Sequence, residues 1–198
     1  QVMKELYSEL RGLFPTPLFV SHTNKEFTKK EISFLKKKKL PLNILNNKIL
    51  KNIKKEVVLA THNYFYHIEK TSSDLNFDIY QSWVEVGHKN KPSHDLKHIH
   101  RNSFLSGFLY IDAAAEKDKL SFIKDQGSFF EFTVKQNNVF NCSTWEVPVE
   151  SKKIIIFPSY VPYIFRKQNK QPIMAIGFNI FLNVKTGKVS DLIAELIK

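Results

Sequence analysis

The chain has 198 residues, 42% hydrophobic and 13% aromatic with 17 Phe, so one domain with a substantial aromatic core is expected. Its net charge of +11 is almost all lysine, with arginine only at Arg11, Arg101 and Arg166. Base readout and two-pronged phosphate recognition favour arginine, so no specific nucleic-acid binding is expected. The single cysteine, Cys142, excludes an internal disulfide and fits a reducing compartment, and no apolar run is long enough to cross a membrane.

Val2, Met3, Leu6, Leu10 and Leu13 recur at helical spacing and predict a first amphipathic helix. Leu13 to Val20, with Pro15 and Pro17, reads as an extended strand at a sheet edge. From Asn46 to Ile68 the positions Ile49, Leu50, Ile53, Val57, Ala60, Tyr64 and Ile68 keep a helical period, which makes this the main helix over one side of a sheet. His62 and His67 belong to it as ordinary helix positions.

After Thr71 to Asp74 the pattern becomes β. Short runs cover Asp78 to Val86, Ser103 to Ile111, Lys119 to Ile123, Phe129 to Val134, Lys153 to Phe157 and Pro172 to Val184. Ser190 to Ile197 reads as a short C-terminal helix with Ser190 as its N-cap. The expected fold is α+β, mainly β: a jelly roll with N-terminal helices packed on one face. It forms a single domain over 1–198, in which a helical part of about 1–70 covers a β-sandwich of about 76–186. The chain starts at Gln1 rather than Met, so residues are expected to precede it, and no secretory signal peptide is visible.

The chemistry-bearing residues are lopsided. All seven histidines lie at or before His100, and His98 and His100 open the run His98-Ile99-His100-Arg101-Asn102-Ser103-Phe104-Leu105-Ser106-Gly107-Phe108-Leu109-Tyr110. Side chains at i and i+2 of a strand share a face, so this His-x-His pair is a metal signal, with imidazole suited to iron or zinc. His94 and Asp95, and less directly His88, stand close enough in sequence to add ligands. Cys142, in Asn141-Cys142-Ser143-Thr144, has no base beside it and reads as an unreactive thiol.

With Leu13-Phe14-Pro15-Thr16-Pro17, Gln81-Ser82-Trp83-Val84, Ile156-Phe157-Pro158-Ser159-Tyr160-Val161-Pro162 and Ile176-Gly177-Phe178-Asn179, that run resembles the 2-oxoglutarate/Fe(II) oxygenases common in marine bacteria and cyanophage genomes. The resemblance implies a double-stranded β-helix with Fe(II) and 2-oxoglutarate at its mouth, and His98 and His100 as metal ligands. It also implies a distal histidine where this chain has Tyr163, and an oxoglutarate-binding arginine where it has Ile173. A neutral phenol is a poor Fe(II) ligand, and isoleucine offers a carboxylate only apolar surface. Arg166 and Lys170 are the nearby substitutes.

Two losses at one end of the site lead to the expectation of a non-catalytic jelly-roll protein. It would be a binding or structural assembly component, in concrete form a phage virion protein, with protein partners or self-assembly. No confident catalytic residue and no cofactor are then expected, and the location is cytoplasmic or the virion. The alternative is an active Fe(II)/2-oxoglutarate dioxygenase with atypical ligands. A further reading is a cupin-like metal protein using His94, His98 and His100.

Overall fold

The computed structural model describes residues 12, 14–70, 75–87, 97–113, 118–124, 135–166 and 173–183. The first strand, β1 (Phe19–His22), follows the Pro15 and Pro17 segment and takes the edge position those prolines favour. Helix α1 (Lys29–Leu35) is opened by a capping box: Thr28 Oγ1 accepts from the Glu31 amide, and the Glu31 carboxylate accepts from the Thr28 amide. Burial alone would push the Glu31 carboxyl up, but bonds from Lys25 and Thr28 outweigh it and hold that group below its ordinary value.

The helix expected from Asn46 to Ile68 is four pieces. Two 3-10 turns (Ile44–Asn46, Lys48–Leu50) lead into α2 (Lys51–Tyr64), and a π-helical turn (Phe65–Glu69) ends it. Lys70, at φ 52°, closes that turn in the left-handed region. Ile53, Val57, Ala60 and Tyr64 form the buried stripe that the periodicity predicts, and Thr61 is buried beside them.

The remaining strands are β2 (Phe77–Gly87), β3 (Leu105–Asp112), β4 (Lys119–Ile123), β5 (Thr144–Pro148), β6 (Lys153–Pro158), β7 (Tyr163–Arg166) and β8 (Ile173–Leu182). They build a five-stranded sheet in the order β1-β6-β3-β8-β2 and a three-stranded sheet in the order β5-β4-β7, with every strand pairing antiparallel. The fold is thus mainly β, a jelly-roll sandwich with the helices packed on one sheet. The expected strand over Phe129 to Val134, the helices at both ends and the loop from His88 to Leu96 lie outside the described residues.

Strands β3, β6 and β8 are covered on both faces, which is why they read as nearly unbroken apolar runs. Alternation then sorts their side chains. Ile154, Ile156, Ile176, Phe178 and Ile180 join Leu50, Ile53 and Val57 under the helices. Ile155, Phe157, Phe108, Tyr110, Ile173 and Ala175 point into the sandwich, against Leu120, Phe122, Tyr163 and Phe165 of the small sheet. Each of these isoleucine, leucine, valine and phenylalanine side chains, when fully buried, contributes about 1.5–3 kcal/mol from area alone.

Close approach requires glycine at two paired sites. A Cβ on Gly107 would meet the Phe178 ring at 2.4 Å, and one on Gly177 would meet the Trp83 indole at 2.4 Å. The absence of a side chain at 177 therefore lets Trp83 lie flat on its own sheet.

The long strand β2 forms the other edge. Asn43 bridges to Ser82 there, and its Nδ2 donates to the carbonyls of Ile79 (3.0 Å) and Tyr80 (3.4 Å). Ser82 Oγ donates to Asn43 Oδ1 and accepts from the Leu45 amide at 3.0 Å. No helix among the described residues is long and apolar enough to cross a membrane.

Candidate functional site

The segment before β3 carries the two histidines to the mouth of the sandwich. His98 and Tyr163 exchange both backbone hydrogen bonds, at 2.8 and 3.0 Å, forming an isolated antiparallel bridge that seats His98 beside the first residue of β7. The pairing sets His100 against the same tyrosine: His100 Nε2 lies 2.6 Å from Tyr163 Oη. The Tyr163 ring is offset-parallel to both imidazoles, at 5.6 Å from His98 and 5.5 Å from His100. On its other neighbour His100 stacks with Trp83, 5.1 Å between ring centres.

The other ring nitrogen of His100 meets a polar network inside the sheet. Asn179 Nδ2 lies 3.1 Å from His100 Nδ1 and 3.2 Å from Gln81 Oε1. Its Oδ1 accepts from Ser106 Oγ at 2.8 Å, and Ser106 in turn is 2.7 Å from Ser159 Oγ. With Ser106 as the donor to Oδ1, the amide turns its N–H toward the histidine. An amide N–H at Nδ1 makes that nitrogen an acceptor, so neutral His100 carries its proton on Nε2 and donates to Tyr163. Burial, helped by the nearby His98, lowers the His100 pKa and favours this neutral form.

Tyr163 is buried, and desolvation, with a smaller push from Glu85, raises its phenol far above the ordinary value. It packs edge-on against Phe108 (5.3 Å) and Phe157 (5.5 Å). Glu85 accepts from Trp83 Nε1 at 2.9 Å. Among the described residues no group of three or more His, Cys, Asp or Glu is placed to hold a metal ion.

The sequence therefore pointed to three residues, His98, His100 and Tyr163, that do come together. Ile173 lies in the same buried aromatic cluster as Tyr163, 1% exposed among Phe108, Tyr110 and Phe165. Tyr110, in the same cluster, keeps a buried hydroxyl with no hydrogen-bond partner among the described residues. Arg166 closes β7, but its side chain lies outside the described residues, as do Lys170, His88, His94 and Asp95. Sequence reasoning gave no role to Asn179, Ser106, Ser159, Trp83 or Tyr110, although all five fall in the stretches that carry the resemblance.

The donor types at the mouth, two imidazoles and a phenol, suit an iron-type ion, but in this arrangement they bond one another. An oxo-acid carboxylate fits less well. The interior offers it the unpartnered Tyr110 hydroxyl, while position 173 presents an apolar side chain rather than a guanidinium. Lys153, the buried lysine among the described residues, is already engaged by the Pro148 carbonyl (2.8 Å) and Glu150 (3.2 Å).

A helix-covered jelly roll with histidines at its mouth defines the oxygenase-type double-stranded β-helix. The family model described as putative 2OG-Fe(II) oxygenase matches residues 81–179, half of the chain, and the chain belongs to that family. Two solved structures of HygX from Streptomyces hygroscopicus share the fold. The form with nickel and 2-oxoglutarate bound gives a TM-score of 0.54 at 10% identity, covering 86% of this chain and 84% of that one. The iron-bound form gives 0.53 at 10% identity with the same coverage. A 2OG-Fe(II) oxygenase-family oxidoreductase from Burkholderia pseudomallei matches at TM-score 0.44 and 7% identity over 70% of this chain. The match spans 54% of the Burkholderia chain, little more than half of its length. No curated protein matches significantly.

These findings correct the expectation of a non-catalytic binding or assembly component and of a phage virion protein. The family match spans Tyr163 and Ile173, the two positions at which a loss was expected, and its family is one of oxygenases. Expected departures from a ligand pattern do not by themselves remove a chain from that class, because a metal can be held by a different donor set.

Proposed function

We propose that this protein is an iron-dependent oxygenase of the 2-oxoglutarate class with an atypical ligand set. His98 and His100 hold the ion, and Tyr163 takes the place of the distal histidine. The observation that carries this reading is the convergence of the three side chains within the family-matched segment, with His100 Nε2 2.6 Å from Tyr163 Oη. Bound iron would supply an open position for dioxygen and charge to bring the phenol into its anionic form.

The chain's own residues prepare that site. Trp83 holds the His100 ring in plane, while Phe108 and Phe157 keep water from the phenol. Asn179 orients the imidazole. Because a ligating Nε2 needs its lone pair, loading requires the Asn179 amide to turn over so that its oxygen accepts a hydrogen bond from Nδ1–H. Ile173 is no anchor for an oxo-acid. In this reading its carboxylate is received by Arg166 or Lys170, around the connection from β7 to β8.

Anaerobic titration of the metal-free protein with Fe(II) tests the proposal. One bound equivalent is expected, with a phenolate-to-metal absorption on oxidation that Tyr163→Phe abolishes and His100→Ala prevents by removing binding. Addition of 2-oxoglutarate should bring a second visible band. Protein that stays metal-free at saturating iron would overturn the reading.

A further inference from the structure

A cavity of about 460 Å³ opens at the same end of the sandwich, and His100 and Arg101 both line it. Its apolar wall is made by Pro17, Phe104, Leu105 and Pro158. Opposite charges also line it: Arg101 from the turn before β3 and Glu69 from the π-helical turn after α2. Neither makes an ion pair among the described residues, although ion pairs form elsewhere on the surface. Among the described residues Glu69 accepts only a long bond, 3.4 Å, from the hydroxyl of buried Tyr64. The two carriers are fixed to one another, because Phe104 stacks on Phe65 of the π turn with 6.0 Å between ring centres. Asn102, at φ 64°, makes the left-handed bend that follows Arg101.

We infer that this cavity binds a zwitterion of the free amino-acid class: a carboxylate at Arg101, an ammonium at Glu69, and an apolar body against Pro17, Phe104 and Pro158. Guanidinium takes a carboxylate with two parallel bonds, and a lone carboxylate beside a buried tyrosine is a natural partner for an ammonium. A ligand with one charge leaves the other wall group unpaired, so the cavity discriminates by charge pattern more than by size. As a substrate site it rests on the oxygenase reading, since His100 forms part of its wall. As a binding site it stands without metal.

The experiment uses metal-free protein and calorimetric or ligand-observed NMR titration. The probes are L-leucine, L-phenylalanine and L-glutamine, with 4-methylpentanoate and 3-methylbutylamine as leucine lacking the amine or the carboxylate. At least one amino acid should bind at millimolar concentration or below, and each single-charge analogue should bind at least about tenfold more weakly than leucine. Arg101→Gln should abolish the penalty for losing the carboxylate, and Glu69→Gln the penalty for losing the amine. Both side chains are exposed, so unchanged melting temperatures will verify that the variants fold. Absence of binding by all three amino acids, equal binding of the analogues, or discrimination that survives both substitutions would overturn the inference. Iron titration reads the oxygenase proposal separately, so either can fail alone.

Discussion

The two faces of the five-stranded sheet are packed with different chemistry, although the same strands supply both. Under the helices the contacts are mostly aliphatic, with Ile44, Leu45, Leu50, Ile53, Val57, Ile154, Ile156, Ile176 and Ile180. Inside the sandwich they are aromatic, with Phe108, Tyr110, Phe122, Phe157, Tyr163 and Phe165. Aliphatic side chains give area and shape, whereas rings also bring edges, faces and polar tips. That is why the hydroxyls of Tyr110 and Tyr163 and the imidazole of His100 belong to the second face. One face carries stability, and the other spends part of its packing on groups that can do chemistry.

The strongest way to break this division is a charge in the aromatic face. Ile173→Arg buries a guanidinium with no partner and should cost about 3–5 kcal/mol. If the interior retains a place for an oxo-acid, 2-oxoglutarate will recover part of the melting temperature; the same loss with and without it would show that the place is filled.

On the aliphatic face, Leu50→Ala should lower stability by about 2–5 kcal/mol while leaving iron affinity per folded molecule unchanged. A parallel loss of iron affinity would mean that the two faces are coupled. Gly177→Ala is a smaller change on the aromatic side. It pushes the Trp83 indole off the sheet, at about 1–3 kcal/mol, and should weaken metal binding because Trp83 stacks on His100.

Asn179→Asp sharpens the contrast by making function better without more packing. A carboxylate accepts Nδ1–H of His100 and frees Nε2, so metal affinity should rise by about 10–100-fold in an iron titration. The smallest effect is expected at Glu31→Gln, about 1 kcal/mol at neutral pH. The Glu31 carboxyl titrates below its unfolded value, so its contribution is present above the ordinary carboxylate range and is lost as pH falls through its folded value. The variant should therefore show a flatter acid limb in a stability–pH profile.

How much of this was legible in the sequence follows from the same two faces. Lys119–Ile123 was read to the residue, and β2, β3, β6 and β8 to within two residues at either end, because their alternation or unbroken apolar character is strong. Strand β7 was missed: it is four residues long and starts directly after Pro162. So was β5, whose residues are largely exposed and which ends in Pro148. Helix α1 was also missed, although Thr28-x-x-Glu31 spells out its capping box. The interruption of the main helix by 3-10 and π turns is set by packing and leaves the apolar period intact.

For the site, His98, His100 and Tyr163 were recognisable from spacing and resemblance. The direction of the Asn179 amide was not, because it depends on a hydroxyl 73 residues away in sequence. The charge pair Arg101 and Glu69 was equally hidden, since only the fold brings a helix end to the turn before β3.

The strap formed by Asn43 and Ser82 has a consequence for how copies of this chain can meet. Free carbonyls along a long outer strand are a template on which another strand adds, and repeated addition builds fibres. On β2 the acceptors of Ile79 and Tyr80 are taken by one asparagine side chain, next to the bulge that bends the strand. The opposite border is only four residues long and follows two prolines. Strand addition is hindered at both borders of the five-stranded sheet, by a side chain on the acceptors at one and by shortness at the other.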